Sequence, residues 1–241
     1  MDFYVILSGS SSGIGLACLK ELDQNNFHVL SLSRSPIDIT FSKGNLCHQI
    51  LDLKKLTITQ SNSLISNFLK TIQSFDQVIL INNAGQLGPM GMIKDLNLDE
   101  VRDSFDLNFF SAALLTQSFL KYSSPSNPSL IINITTGAAT NPYAGWLAYC
   151  SSKAAFQMLG SVAQEENPQL KVINFSPGPT QTAMQEEIRK SNPRIFPLQE
   201  KFIKLHEENK LNSPKDVAKK ILNIIRNPNQ LPLLVKFTDL N

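Results

Sequence analysis

Apolar and polar positions alternate along this chain in two rhythms, and the switches between them mark its elements. Short, mostly apolar runs at Phe3–Leu7, Val29–Ser33, Leu46–Leu51, Gln77–Asn82, Leu130–Thr135 and Leu170–Phe175 read as strands buried on both faces. A last strand is expected near Leu231–Phe237. Between these runs the period lengthens to that of a helix. Helices are expected over Ile14–Gln24, around Leu64, Ile65, Phe68, Leu69 and Ile72, and over Ala148–Gln164 and Pro214–Ile225. A long helix is expected over Asp99–Tyr122, with Val101, Phe105, Ala112, Leu115 and Phe119 on its apolar side. Strands alternating with helices in this way predict an α/β fold in three layers, a doubly wound, Rossmann-type parallel sheet. No repeat or low-complexity linker divides the 241 residues, so one domain is expected. Residues 184–211 interrupt the alternation and are expected to form a substrate lid.

Composition narrows the class without changing that picture. Hydrophobic residues make up 42% and charged residues 17%, as in an ordinary globular chain. A net charge of +2 with scattered basic residues gives no footprint for nucleic acid or an anionic membrane. Cys18, Cys47 and Cys150 are an odd set without a CxxC, expected to be reduced thiols. His28, His48 and His206 lie too far apart in sequence for metal-ligand spacing, so no metal site is expected. The N-terminus lacks a basic leader, and no run approaches the ~18 apolar residues of a membrane span, so the expected location is cytoplasmic.

Candidate chemistry gathers at the predicted strand ends. After the first strand comes Ser8-Gly9-Ser10-Ser11-Ser12-Gly13-Ile14-Gly15. Glycines there permit a tight turn and close approach to a ligand, and the helix that follows offers its first amides to a phosphate. The second strand ends in Ser33-Arg34, with no acid. A carboxylate at that position selects a free ribose 2′-hydroxyl, whereas Arg34 can neutralise a 2′-phosphate, so NADP(H) is favoured over NAD. Asp52 and Leu53, past the third strand, can contact adenine, with Asp52 accepting from its amino group; a plain surface aspartate is the alternative. Asn83-Ala84-Gly85 closes the fourth strand at the same edge, either lining a cofactor or forming a simple turn. Asn108 interrupts the apolar pattern of its helix, and a buried amide needs partners. Tyr149 and Lys153 stand one helical turn apart on a shared face. A cation about 4 Å from a phenol can lower its pKa by up to about 3 units, making Tyr149 a usable acid or base.

With GSSSGIG, LDL, NNAG, Asn108, YCSSK and SPGPTQT in this order, the chain resembles the short-chain dehydrogenase/reductase family over nearly its whole length. The resemblance implies proton-coupled hydride transfer between NAD(P)H and a carbonyl or alcohol. It makes Tyr149 the proton donor and Lys153 its activator and a ligand of the nicotinamide ribose, with a proton relay through water held by Asn108. It also implies that Pro177, Gly178, Thr180 and Thr182 pass the nicotinamide. Thirteen residues before the tyrosine the family usually has serine, and this chain has Thr136. Its hydroxyl offers the same donor and acceptor, while its methyl restricts χ1 and crowds the pocket.

A narrower resemblance, in GWLAYCSSKAA, SPGPTQTAMQ and VKFTDL, is to sepiapterin reductases and bacterial benzil-type diketone reductases. It implies that Asp239 grips a pterin's aminopyrimidine edge, the alternative being a solvated acid in a frayed tail. Trp146 is expected to wall the substrate pocket or to pack the core. The expected activity is NADPH-dependent reduction of a small ketone or vicinal dicarbonyl, with pterins first and diketones second. The rivals are an NAD-dependent alcohol dehydrogenase and a non-catalytic NADP(H)-sensing regulator. By resemblance, the helices at 99–122 and 148–164 pair with their copies in a homodimer or homotetramer.

Overall fold

A computed structural model describes residues 3–72, 77–123 and 129–240. Strands β1 (Phe3–Ser8), β2 (His28–Ser33), β3 (Asn45–Ile50), β4 (Gln77–Asn82), β5 (Ser129–Ile134), β6 (Lys171–Ser176) and β7 (Leu234–Lys236) form one parallel sheet in the order β3-β2-β1-β4-β5-β6-β7. The chain starts mid-sheet, winds outward to β3, then returns to β4 and winds outward the other way. That reversal opens a crevice at the carboxyl ends of β1 and β4, where ligands bind in open α/β sheets.

Alternate residues of each central strand feed two separate cores. Val5, Leu7, Ile79 and Ile81 pack with Leu19 and Leu22 of α1 (Gly13–Gln24) and with Val217, Ile221 and Ile224 of α8 (Pro214–Arg226). Ile6, Leu80 and Ile131 pack on the other face with Ile65 of α2 (Ile58–Lys70) and with Leu115 and Phe119 of α4 (Ser111–Tyr122). Burial on both faces explains why the central strands read as unbroken apolar runs, whereas the edge strand β3, expected to be buried too, is exposed or half-buried along its length. Two helix starts are fixed by side-chain caps. Thr57 and Gln60 form a reciprocal capping box on α2, and the Ser213 hydroxyl accepts the Asp216 amide at 3.0 Å on α8.

The structure departs from the sequence reading in three places. The long helix expected over Asp99–Tyr122 is two helices, α3 (Leu98–Phe105) and α4, joined by a π-helical turn at Asp106–Phe110. The wider turn absorbs an extra residue and sets Asn108 facing inward, fully buried. The segment 184–211 is not irregular, since it holds α6 (Ala183–Arg189) and α7 (Gln199–Glu207). The last strand is shortened to three residues, Leu234–Lys236. Pro232, which lacks a backbone donor and restricts the residue before it, keeps Leu231 out of the strand.

Beneath the crevice, three in-register asparagines tie the central strands together. The Asn82 amide donates to Asn133 at 3.0 Å, and Asn133 donates to Asn174 at 2.9 Å. The loops leaving β4, β5 and β6 therefore start from one hydrogen-bonded row.

Candidate active site

A cleft of about 690 Å³ runs along the carboxyl edge of the sheet. Its floor is the turn between β1 and α1. Gly9 has φ +71°, and a Cβ there would lie 2.7 Å from the Ala84 Cα, so only glycine lets the two loops meet. Asn83 fastens the turn by donating its amide to the Ser8 and Gly9 carbonyls at 3.1 and 2.9 Å. The Ser8 hydroxyl accepts the Asn83 and Ala84 amides at 3.0 and 3.2 Å. Ser11, Ser12, Gly13 and Ile14 line the cleft, whereas Gly15 does not. A side chain at Gly15 would collide with the Gly9 carbonyl, so its place is in closing the turn.

At one end of the cleft stand Ser33, the exposed Arg34, Asp52, Leu53 and Lys54. The Asp52 carboxylate accepts the Lys54 amide at 3.1 Å and so caps the short turn at Leu53–Lys55. Lys54 reaches across to Asp103 at 3.6 Å. Gly85, Pro177, Gly178, Thr180 and Thr182 line the middle and far parts of the same cleft.

Tyr149 and Lys153 both enter the cleft from α5 (Leu147–Glu166), with Thr136 facing them from the end of β5. Burial pushes the Tyr149 phenol up to about 12, only partly offset by the Thr136 hydroxyl, and the phenol donates to the Met184 sulfur at 3.9 Å. Lys153 is buried too, and loss of solvation brings its ammonium down to about 8. Its Nζ donates to the Ile134 carbonyl at 3.0 Å and lies 4.7 Å from the Phe156 ring centre. Burial is the largest influence on both groups and disfavours the charged form of each.

The rest of the lining is largely apolar, with Tyr143, Gln185, Glu187 and Lys201 among it. Leu87, Trp146, Met184, Ile188, Phe202 and Leu205 form its apolar part. Trp146 stacks on Phe196 at 4.5 Å and 7°, and meets the edge of Tyr149 at 5.5 Å. Trp146 is thus both a cleft wall and a packed core residue. Met184, Ile188, Phe202 and Leu205 were missed in the sequence. Their helical spacing within two short segments is the signal that points to them.

Besides Gly15, two expected site residues lie away from the cleft wall. Asn108 sits behind it, where Oδ1 accepts the Gln86 amide at 2.8 Å. Its Nδ2 donates to the Gln86 carbonyl and to the Ser152 hydroxyl, both at 2.9 Å. With both amide protons spent, the side chain braces the loop after β4. Asp239 does not line the cleft either. Its carboxylate accepts the Lys236 amide at 2.8 Å and closes its own terminal turn.

The residues present fit a nicotinamide dinucleotide. The glycine turn keeps side chains off the cleft floor, α1 begins there, and a cation stands where an acid would select the unphosphorylated form. Among the described residues no cluster of His, Cys, Asp and Glu could hold a metal, and no helix is long and apolar enough to cross a membrane.

The sequence model of the short chain dehydrogenase family matches residues 4–193. Benzil reductase ((S)-benzoin forming) of Bacillus subtilis (strain 168) is 35% identical over 232 residues, covering 93% of each chain. Sepiapterin reductase of Rattus norvegicus is 31% identical over 238 residues, covering 92% of this chain and 90% of the relative. The solved structure of the KRED1-Pglu enzyme superposes with a TM-score of 0.85 at 26% identity, covering 96% of this chain and 99% of that one. The chain belongs to the short-chain dehydrogenase/reductase family of oxidoreductases.

Proposed function

We propose that this protein is an NADPH-dependent carbonyl reductase acting on a small ketone, above all a vicinal dicarbonyl with apolar flanks. The observation that carries the reading is where Tyr149 stands. Its hydroxyl meets Thr136 at the point where the polar floor of the cleft gives way to Leu87, Trp146, Met184 and Phe202. That wall suits alkyl or aryl substituents. Asp239, the anchor that a pterin requires, is engaged elsewhere, so the diketone moves ahead of the pterin. The similarity to a bacterial benzil reductase supports the same order.

When bound, NADPH supplies the hydride. Amides of the turn from Gly9 to Ile14 would hold its diphosphate, Arg34 its 2′-phosphate, and Ser33, Asp52 and Leu53 its adenosine. Residues 83–85 and 177–182 would border the nicotinamide. The Thr136 and Tyr149 hydroxyls hold the substrate's carbonyl oxygen with two hydrogen bonds and draw electron density from its carbon. Tyr149 then gives its proton to that oxygen, which becomes a hydroxyl. A buried phenol near pKa 12 is fully protonated at neutral pH, the state an acid requires. Protonated Lys153 lowers the cost of the tyrosinate left behind. Asn108 holds the loop after β4 in place.

The test is benzil-dependent NADPH oxidation by the wild type and Tyr149→Phe. The variant should lose turnover by about 10²–10⁴-fold, the usual worth of a positioned proton donor, with NADPH affinity retained. Normal turnover in the variant overturns the role of Tyr149, and no turnover of any ketone by the wild type overturns the activity.

A further inference from the structure

Beneath the turn between β1 and α1 lies a row of polar side chains that the proposed chemistry does not use. Ser31 interrupts the apolar run of β2, and Ser10 belongs to the turn itself. Both are fully buried, whereas Ser11 and Ser12 line the cleft. The Ser10 and Ser31 hydroxyls are 2.6 Å apart, and the Ser31 hydroxyl lies 3.0 Å from Nδ1 of His48, its direct neighbour on β3. An apolar side chain at either serine would avoid burying a hydroxyl, so the row calls for a reason.

Counting donors fixes the direction of the row, because each hydroxyl has one proton. The Ser10 hydroxyl donates to the Leu32 carbonyl at 3.4 Å. Ser31 therefore supplies the proton between the two serines, and His48 Nδ1–H donates to Ser31. That tautomer leaves Nε2 as a bare acceptor. Independently, Nε2 is buried with no partner among the described residues, and an orphaned N–H there is the rarer state. Both observations run the row from His48 through Ser31 and Ser10 to Leu32. The Leu32 carbonyl also accepts the Gly9 amide at 2.8 Å. The row thus ends on the group that ties the first glycine of the turn to β2, while Asn83 grips the same turn from β4.

We propose that His48 is a positioning residue for the dinucleotide, holding the diphosphate-binding turn from beneath through Ser31 and Ser10. The proposal rests on the reading of that turn as the cofactor's seat and names a residue outside the cleft lining that serves it. The turn's amides must point at the diphosphate before it arrives, and a turn left free to shift binds it less tightly. The diphosphate is common to NADPH and NADH. Breaking the row therefore weakens both dinucleotides by the same factor, whereas loss of Arg34 acts on NADPH alone.

The experiment measures NADPH and NADH affinity directly, by calorimetry, for the wild type, His48→Phe, Ser10→Ala and the double variant. His48→Phe keeps a ring of similar size and removes the donor. It should weaken both dinucleotides by the same factor, about three- to tenfold, the worth of one buried hydrogen bond, and leave the KM for benzil at saturating NADPH within about twofold. The double variant should bind no more weakly than the weaker single variant, because both substitutions break one row. Unchanged affinity in His48→Phe, weakening of NADPH alone, an equal rise in the benzil KM, or additive losses in the double variant overturns the positioning role. Should His48→Phe fail to fold, the wild type decides. Its long-range ¹H–¹⁵N spectrum should show the His48 ring protonated at Nδ1, and a neutral ring protonated at Nε2 overturns the proposal. A wild type that binds neither dinucleotide overturns the reading of the turn itself, and the role of His48 with it.

Discussion

The catalytic couple shows what burial adds to spacing. The i, i+4 placement of Tyr149 and Lys153 is legible in the sequence, and both residues line the cleft. Their solvation is not legible, because it depends on Ile134 and Met184, which arrive from other elements. Desolvation favours the neutral form of each, and that makes stability depend on pH. Lys153 has its folded pKa lowered from 10.5 to about 8, so the unfolded chain binds more protons between those values. Stability from this group therefore rises with pH over that window, and the cost of the buried charge is fully present below pH 8. Tyr149 has the opposite sign: with its folded pKa raised from 10.0 to about 12, stability is lost as pH rises across that range. Lys153→Met removes the first effect. Its stability relative to the wild type should fall by up to about 3 kcal/mol between pH 7 and pH 10. Urea unfolding of the cofactor-free proteins measures this, and a pH-independent difference would refute it. Arg34 offers a second test at the same scale. Arg34→Leu should raise the KM for NADPH by about 10–100-fold, the worth of one charge-assisted phosphate contact, and leave that for NADH nearly unchanged. A wild type that prefers NADH contradicts the assignment.

Elements with a clean period were readable, and those whose period is broken by one residue or by prolines were not. The strands β1, β2 and β4 match their expected spans closely, because burial on both faces leaves an apolar run with sharp ends. The π-helical turn at Asp106–Phe110 adds one residue to a stripe that still looks helical, so two helices read as one. In the segment 184–211, helices of 7 and 9 residues are separated by Pro193 and Pro197, too short for a period to declare itself. We propose that this segment acts as a substrate lid, seated on the cleft at one close contact. Gly145 has φ +85°, and a Cβ there would collide with the Ile195 carbonyl, next to the Phe196 ring that stacks on Trp146. Gly145→Ala should push that turn outward. KM for a diketone is expected to rise several-fold, about 3–10-fold for a contact worth about 1 kcal/mol, while NADPH affinity stays the same. Equal loss of both affinities would show a general fold defect instead of a lid defect.

At the scale of the whole molecule, part of the apolar surface that remains exposed lies on helices that neighbour one another. Among the described residues, Leu98 on α3, Phe110 in the π turn, and Met158 and Val162 one turn apart on α5 are 62%, 52%, 62% and 44% exposed. These helices pack against one another on the face of the sheet covered by α2 and α4. Exposed apolar side chains on neighbouring helices are candidates for an interaction surface, and we propose that role for this face. Self-association through a two-fold axis is the simplest way to cover it, because the same patch serves both copies. Nothing in the order of elements announces this, since an exposed methionine on a helix reads like any other until its neighbours are placed. The cleft opens at the carboxyl edge of the sheet and none of these four residues lines it, so assembly and cofactor binding are separable. Met158→Glu combined with Phe110→Asp places two carboxylates in the centre of the patch, where unpaired charge is costly. Sedimentation velocity should show the wild type as a dimer or tetramer at micromolar concentration and the double variant as a monomer that still binds NADPH. A monomeric wild type, or a variant that assembles normally, overturns the assignment of this face.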